Sequence, residues 1–490
     1  MKDIVLIQPP NTINWFLQAL GTIHPHLALP YLGAVLERAG FSVRIIDSPV
    51  EGRSAEDVAE IVEADQPILV GFTACTAEFP SAERTARKIK ERYSVPIIIG
   101  GAHSHFSWKD ILSTRDTPFD YCAVGECENT IEDIVDAVQG KKNIGKIKGV
   151  AFRNNHTVIS PQPNPVIEDL DMIPFPALHL LGGFPNKYGF DLSVGIDSTR
   201  NIKGKRSLTP LIPMVTSRGC SHSCEFCQVK AKDQKWRGRS PQNVIDEIEY
   251  RLKEFGIRYF YFYEDNFTED AARVKSFCNL LSEHQIDITW DCFSRADWVV
   301  QHKDLVELMA KTGCRGIYMG VEALENGLKY YKKGETIGDV AKATQLLREH
   351  GIEIAWSFVL GSPVDTLQSL KDTIKFIEMH QPDFIQLFVL CPFPGTDLYF
   401  KLKEAGEIKE IDWTKFDAQN PVLRYHNFSV TELLKIRNDA YRSFYGRFSW
   451  CLKYTNSLRR GKHPLANFTK AIGTWLKMRF LLSEVLSSDS

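Results

Sequence analysis

Short apolar runs alternate with amphipathic helical patterns twice along this sequence, on either side of a stretch whose prolines exclude both helix and central strand. Residues 4–7 (IVLI), 43–46 (VRII), 68–72 (ILVGF) and 96–99 (PIII) have the length and apolarity of strands buried on both faces, as in a parallel sheet. Between them, YLGAVLERAG (31–40) sets Leu32, Val35, Leu36 and Ala39 on one helical face and stops at Gly40, where a left-handed C-cap is expected; SAERTARKIKERY (81–93) repeats the pattern. The alternation predicts an α/β unit, a doubly wound (Rossmann-like) domain over residues 1–145.

KGVAFRNNHTVIS (148–160) predicts a hairpin turning at Asn154-Asn155. Pro161, Pro163, Pro165, Pro174 and Pro176 follow, so residues 146–205 are expected to form a hairpin and a proline-rich linker. A second series occupies residues 206–400. IPMVTSRG reads as its first strand, and strand-like runs recur at 257–263, 286–290, 315–319, 352–359 and 384–390, with helical segments between most of them. Ser240 before Pro241 and Gly256 beyond the apolar stripe mark the ends of one such helix. Six strands in βα order predict a partial TIM-like (β/α)6 barrel with its chemistry at the C-terminal strand ends. Residues 401–490 are expected to form a C-terminal helical segment.

A chain of 490 residues, 43% hydrophobic and 24% charged, has material for several domains. Its net charge of -2 gives no global attraction to nucleic acid, and no groove-reading motif is present. The start, MKDIVLIQPPN, meets two prolines too soon for a signal sequence, and no apolar run approaches the roughly 18 residues of a membrane span. These features predict a cytoplasmic protein. Its 11 cysteines, an odd number, suit free thiols or metal ligands in a reducing compartment.

Three of those cysteines stand together. SRGCSHSCEFC (217–227) places Cys220, Cys224 and Cys227 at C-x3-C-x2-C, directly after the first strand of the second series. Structural zinc takes four ligands, and here only His222, inside the same loop, could be the fourth. An iron–sulfur cube also takes four thiolates when it only carries electrons; three leave one iron open to a substrate or cofactor.

With Phe226 before the last cysteine, this motif resembles the radical S-adenosylmethionine superfamily, and the resemblance runs through about residues 206–400. It implies a [4Fe-4S] cluster on Cys220, Cys224 and Cys227, whose open iron chelates S-adenosylmethionine and cleaves it to a 5′-deoxyadenosyl radical. It also implies S-adenosylmethionine contacts from Phe226, from FYEDNFTED (Glu264, Asp265, Asn266), from SRAD (Arg295) and from GVEA (Glu322). VLGSPVDT carries Ser362 where a smaller residue is common. Acidic residues at strand ends are also compatible with plain solvation, and Tyr318, Cys314 and Cys391 are open both to proton transfer and to the core.

PYLGAVLERAGFSVRIID, VGFTACTAEFPSA, IIIGGAHSHF, DYCAVGECEN and EDLDMIPFP resemble the cobalamin-binding half of radical enzymes that carry a corrinoid domain before the barrel. That class includes methyltransferases at unactivated carbon or phosphorus and the anaerobic magnesium-protoporphyrin ester cyclase. The resemblance implies cobalamin contacts from Gln8, Thr73, Thr76, Gly100, Gly101, His103 and Glu126, with His105 as a further corrin neighbour. Gly100-Gly101 equally fits a tight strand exit, and the histidines equally fit a structural role. The D-x-H-x-x-G motif of many methyl-carrying corrinoid proteins is absent.

The class implies methylation of a small-molecule or lipid-like substrate with a reducing electron donor of flavodoxin or ferredoxin type. Oxidative cyclisation, or a non-catalytic iron–sulfur electron carrier or sensor, are the alternatives. From Arg442 to Arg479 nine Lys or Arg occur with no Asp or Glu, among Phe444, Tyr445, Phe448, Trp450, Tyr454, Phe468 and Trp475. That pattern fits either peripheral association with an anionic membrane surface or a helical cap on the barrel.

Overall fold

The computed structural model describes residues 2–10, 22–155, 157–190, 210–232, 235–409 and 411–447. The apolar run Ile4–Ile7 of β1 (Ile4–Gln8) has its counterpart in complete burial, which a strand reaches only inside a sheet covered on both faces. It runs parallel to β2 (Val43–Asp47) and β3 (Leu69–Thr73), and β4 (Ile97–Gly100) and β5 (Tyr121–Ala123) continue the sheet. The order β2-β1-β3-β4-β5 reverses between β1 and β3, the switch point beyond whose carboxyl ends ligands bind. Helices α1 (Ala28–Arg38) and α5 (Ile131–Val138) cover one face; α2 (Ala55–Asp65), α3 (Phe79–Arg92) and α4 (Ala102–Ser113) cover the other. The α1/α5 core runs unbroken into the core of the second sheet.

Two expectations change here. The first sheet continues past residue 145: β6 (Val150–Asn154) and β7 (Thr157–Ile159) turn at Asn155 and add antiparallel to β5, giving seven strands. The described part of the proline-rich linker packs as a strap, and its residues 191–205 lie outside the described residues. Its Ala177 N–H donates to Pro30 in α1, and Leu178, Leu181 and Tyr188 are buried in the core shared with that helix.

The second sheet contains β8 (Ile212–Met214), β9 (Tyr259–Phe262), β10 (Thr289–Ser294), β11 (Cys314–Glu322), β12 (Glu353–Leu360) and β13 (Phe384–Val389), each parallel to the next in chain order. Helices α6 (Pro241–Phe255), α7 (Ala271–Glu283), α8 (Lys303–Lys311), α9 (Ile337–Glu349) and α10 (Leu367–His380) alternate with the strands. Ser240 caps α6 by accepting from Asn243 N–H, and Gly256 ends it with φ +68°, as the sequence predicts.

The first strand stops at Met214 instead of running to Gly219, because the N–H groups of Thr216 and Ser217 turn to the Glu264 carboxylate. The strand expected at 286–290 begins at Thr289, because Ile286 N–H closes the end of α7 on the Leu281 carbonyl.

After β13, α11 (Val430–Tyr445) lies along the open side of the last strand. The Tyr441 hydroxyl accepts from Leu387 N–H at 2.7 Å and donates to Leu387 C=O at 3.3 Å. One turn later, Tyr445 accepts from Ile385 N–H at 3.0 Å and donates to Ile385 C=O at 2.8 Å. Side chains thus satisfy the polar groups that an edge strand leaves bare. The rest of the basic aromatic stretch, including Phe448, Trp450, Tyr454, Phe468 and Trp475, lies outside the described residues.

Candidate active site

The loop carrying the three cysteines is anchored at its root. Glu264 accepts from the Thr216 and Ser217 N–H groups and from the Thr216 hydroxyl, while Arg273 donates to the Thr216 carbonyl and hydroxyl. Ser217–Arg218 then pairs antiparallel with Arg237–Gly238. Farther on, Glu225 N–H donates to the Tyr331 carbonyl, and Phe226 packs edge-on against the Tyr331 ring at 5.1 Å. Cys224 is buried; Cys220 and Cys227 are half-buried; all three are free thiols. Burial pushes Cys220 up to about 11 and raises Cys224 and Cys227. Lys333 and Arg295 pull Cys224 the other way. Thiols in this setting ionise when a cation takes the place of the lost water, which suits iron ligation.

Zinc would require His222 to join the three thiols. Among the described residues His222 instead groups with Cys220 and Glu269, their donor atoms lying within 4.8 Å of one another. The three-cysteine set therefore fits an open-iron cluster better than a closed zinc tetrahedron.

Beside the loop, a buried charge network forms. Arg295 donates to Asp297 at 2.9 and 3.0 Å and to the Lys333 carbonyl at 3.1 Å. Lys333 Nζ stands 3.1 Å from Glu322 and 3.6 Å from Glu335, whose other carboxylate oxygen accepts from Ala296 N–H at 2.8 Å. Burial alone would discharge Lys333, but Glu322 and Glu335 hold its pKa above the ordinary value. The structure thus brings the expected Arg295 and Glu322 together. Lys333 and Glu335 escaped sequence reasoning, although the KGE triplet after a helix carries the signal. Of the acidic segment, Asp265 faces the cavity described next, Asn266 donates to Glu269 at 2.5 Å, and Glu264 is occupied with the loop backbone. Cys314 and Cys391 are core residues, and Ser362 is buried.

A cavity of about 440 Å3 lies between the two sheets, lined on one side by Thr73, Gly100 and Gly101 and on the other by Arg218, Gly219 and Asp265. Gly71, Gly100 and Ala123, on three adjacent strands, give it a floor of small residues. Gly101 has φ +92°, and a Cβ there would fall 2.7 Å from the Ala74 carbonyl oxygen, so backbone alone can form this wall. Thr73 Oγ1, Thr76 Oγ1 and Gln8 Oε1 are buried with no hydrogen-bond partner among the described residues. A small-residue cradle with orphaned polar atoms nearby fits a large amphiphilic group such as a corrinoid.

Not every expected contact reaches this space. Gln8 and Thr76 lie outside its lining, and Gln8 donates to Glu78 at 2.7 Å. His103 is packed between Phe79, at 4.4 Å, and Trp413, at 5.1 Å, and burial pushes its pKa down to about 4. His105 lines the cavity in its place. Glu126 lines the cavity, but its carboxylate accepts from Arg237 at 2.7 and 3.0 Å.

The sequence relatives agree with this geometry. Residues 214–377 match the Radical SAM superfamily, and residues 15–135 match the B12 binding domain. An uncharacterized methyltransferase of Pyrococcus horikoshii is 30% identical over 451 residues, covering 91% of this chain and 93% of its own. The chain belongs to the cobalamin-dependent radical S-adenosylmethionine enzymes.

The anaerobic magnesium-protoporphyrin IX monomethyl ester cyclase of a Synechocystis species is 27% identical over 434 residues, covering 86% of this chain and 81% of its own. The fold is shared with the cobalamin-dependent radical enzyme OxsB, at 17% identity and a TM-score of 0.71, covering all of this chain and 75% of that one. As a member of these enzymes, the protein uses a [4Fe-4S] cluster, S-adenosylmethionine and cobalamin. Among the described residues no helix is long and apolar enough to cross a membrane.

Proposed function

We propose that this enzyme methylates an unactivated centre of a small-molecule substrate, taking electrons from a reduced flavodoxin or ferredoxin type donor. One observation carries the reading: the glycine cradle of the first sheet and the root of the cysteine loop line the same cavity, through Gly100 and Gly101 on one side and Arg218 and Gly219 on the other. When bound, the cluster with S-adenosylmethionine supplies hydrogen abstraction, and cobalamin supplies a transferable methyl group.

In this reading Cys220, Cys224 and Cys227 hold the cluster as thiolates. Arg295, Lys333 and Glu322 present charges that match the carboxylate, amino and ribose groups of S-adenosylmethionine. Phe226 and Tyr331 wall the loop with apolar surface. Thr73, Gly100 and Gly101 let backbone and hydroxyl approach the corrin, and His105 lies at the same wall. Glu264 acts through the loop backbone and Glu126 through Arg237, so both position rather than bind. The largely apolar cavity limits water, which protects reactive species from side reactions.

Similarity to the cyclase supports a second reading, ring closure without methyl gain. Product mass separates the two, since only methylation adds a CH2 unit.

The testing experiment is anaerobic. The protein is loaded with iron, sulfide and hydroxocobalamin, freed of unbound cofactor, and given dithionite and S-adenosylmethionine. Formation of 5′-deoxyadenosine that Cys224→Ala abolishes, with corrinoid retained by the chain, is the expected result. Nucleoside formation without retained corrinoid would remove methyl transfer; neither, under verified cluster loading, would remove the enzyme reading.

A further inference from the structure

The walls of the second sheet reveal what its interior accepts. On β9 to β13 the outward side chains, among them Phe260, Trp290, Met319, Trp356 and Leu387, are fully buried beneath helices. The alternate, inward residues Tyr261, Phe293, Tyr318, Val359 and Phe388 each keep some exposure. A closed eight-stranded barrel fills its interior with such side chains. Six strands leave an open arc, and its lumen keeps accessible surface.

That lumen is aromatic. Tyr261 and Phe293 have ring centroids 5.9 Å apart, Tyr263 and Phe293 6.3 Å, and Phe293 and Tyr318 4.8 Å. Tyr263 also lines the cavity between the sheets, so the wall is continuous from that cavity into the arc. His24, supplied by the segment before α1, lies on it like a flat ring. Its imidazole is 4.9 Å from Tyr261 at an interplanar angle of 13°, and 5.7 Å from Tyr263 at 24°. Burial lowers its pKa to about 4, so it stacks as a neutral ring at physiological pH.

The charge pattern narrows the choice further. Strands β9 to β13 contain no lysine and a single arginine, Arg315, which pairs with Glu353 at 3.3 Å; Arg218 and Lys232 line the adjoining cavity rather than these strands, and Arg218 is paired with Glu126 and Glu128. Polar groups on these strands include the Asp291 carboxylate, which accepts from Tyr259, the Gln386 side chain, which accepts from the Tyr318 hydroxyl, Ser357 beside that hydroxyl, and the carboxylates of Glu322 and Glu353. A phosphate or carboxylate substrate would call for a guanidinium fork or an array of N–H donors. Aliphatic walls would serve a saturated hydrocarbon equally well, whereas stacked rings reward a π face beyond the area that they bury.

We propose that the lumen receives the substrate as a flat, π-rich ring system without net negative charge, held by the rings of Phe293 and Tyr318 beside the stack that His24 makes with Tyr261 and Tyr263. This rests on the reading of the same site as the methylating centre. Gln386 and the Tyr318 hydroxyl then read a polar edge of the ring.

The test is binding, not turnover. Calorimetric titration of the anaerobic enzyme, loaded with cluster and cobalamin, compares 2-naphthol with its saturated counterpart decahydro-2-naphthol. We expect the aromatic probe to bind about tenfold more tightly, the factor that one or two stacking contacts supply. Phe293→Leu and Tyr318→Leu should each remove much of that preference while leaving the saturated probe unchanged. If one variant fails to fold, the other carries the comparison. Equal affinity for the two probes, no binding of 2-naphthol, or a preference untouched by the substitutions would overturn the proposal. Formation of 5′-deoxyadenosine in the same preparation without either probe tests the functional reading separately, so failure of one is distinguishable from failure of the other.

Discussion

Glu126, in the loop after the last parallel strand of the first sheet, is gripped by both terminal guanidinium nitrogens of Arg237, at 2.7 and 3.0 Å. Arg218 stands 3.5 Å from the same carboxylate and also pairs with Glu128. Because Ser217–Arg218 and Arg237–Gly238 form the ladder at the root of the cysteine loop, this bridge fixes the first sheet to that loop.

Burial pushes the Glu126 carboxyl upward, but the two arginines hold its pKa below the ordinary value. Glu126→Gln leaves Arg237 buried beside a neutral partner. We expect a loss of about 3 kcal/mol in unfolding free energy by denaturant titration, the scale for breaking a buried pair. The double variant Glu126→Gln/Arg237→Met should recover part of it. No difference between the single variant and the parent would show that the bridge carries no stability.

Gly101→Ala tests the cradle. The substitution places a methyl group against the Ala74 backbone at a positive φ, and strain of that kind costs about 1–3 kcal/mol. Gly140→Ala, also at positive φ but with nothing within 4 Å, supplies the strain without the clash. Corrinoid retention after gel filtration should fall for Gly101→Ala and stay at the parent level for Gly140→Ala.

Lys333 lies among Glu322, Glu335 and Arg295, close enough to influence Cys224. Lys333→Met should weaken S-adenosylmethionine binding to cluster-loaded protein by about tenfold or more, as expected for losing a charge-assisted contact. Equilibrium dialysis measures this, with iron content per chain as the control. Unchanged binding would remove Lys333 from the cofactor wall.

Asp47 gives the fold a pH dependence. Its carboxylate accepts from Tyr188 at 2.9 Å, and burial raises its pKa from 3.8 to about 6. The folded chain therefore keeps a proton that the unfolded chain has released between those values. The resulting stabilisation is complete below about pH 3.8 and is lost as pH rises through 6. Between pH 7.5 and pH 5 the parent should gain roughly 1.4 kcal/mol relative to Asp47→Asn. Parallel stability curves for the two proteins would contradict the assignment.

What could be read in the sequence was set locally. Ser240 and Gly256 end α6 by bonds and dihedrals within a turn of their own positions, and the three cysteines meet because eight residues hold them. The partners of Glu126 and Glu264 were hidden for the opposite reason. Each occurs where the family places a ligand contact, but its acceptor capacity is taken by groups far along the chain, Arg237 in one case and the Thr216 and Ser217 N–H groups in the other. His103 and His105 differ only in which side of α4 they occupy, and a short histidine-bearing helix does not reveal its own rotation. The aromatic lumen was equally hidden, because it needs three strands, β9 to β11, side by side before its rings meet.

The two tyrosines of α11 have a consequence for self-recognition. Their hydroxyls copy the donors and acceptors of a seventh strand at Ile385 and Leu387, so these groups of the β13 edge present no template to another chain. A polypeptide ending before Val430 would display two unclaimed peptide groups, at Ile385 and Leu387, in an otherwise apolar border. The helix therefore closes this edge to strand pairing through two phenols.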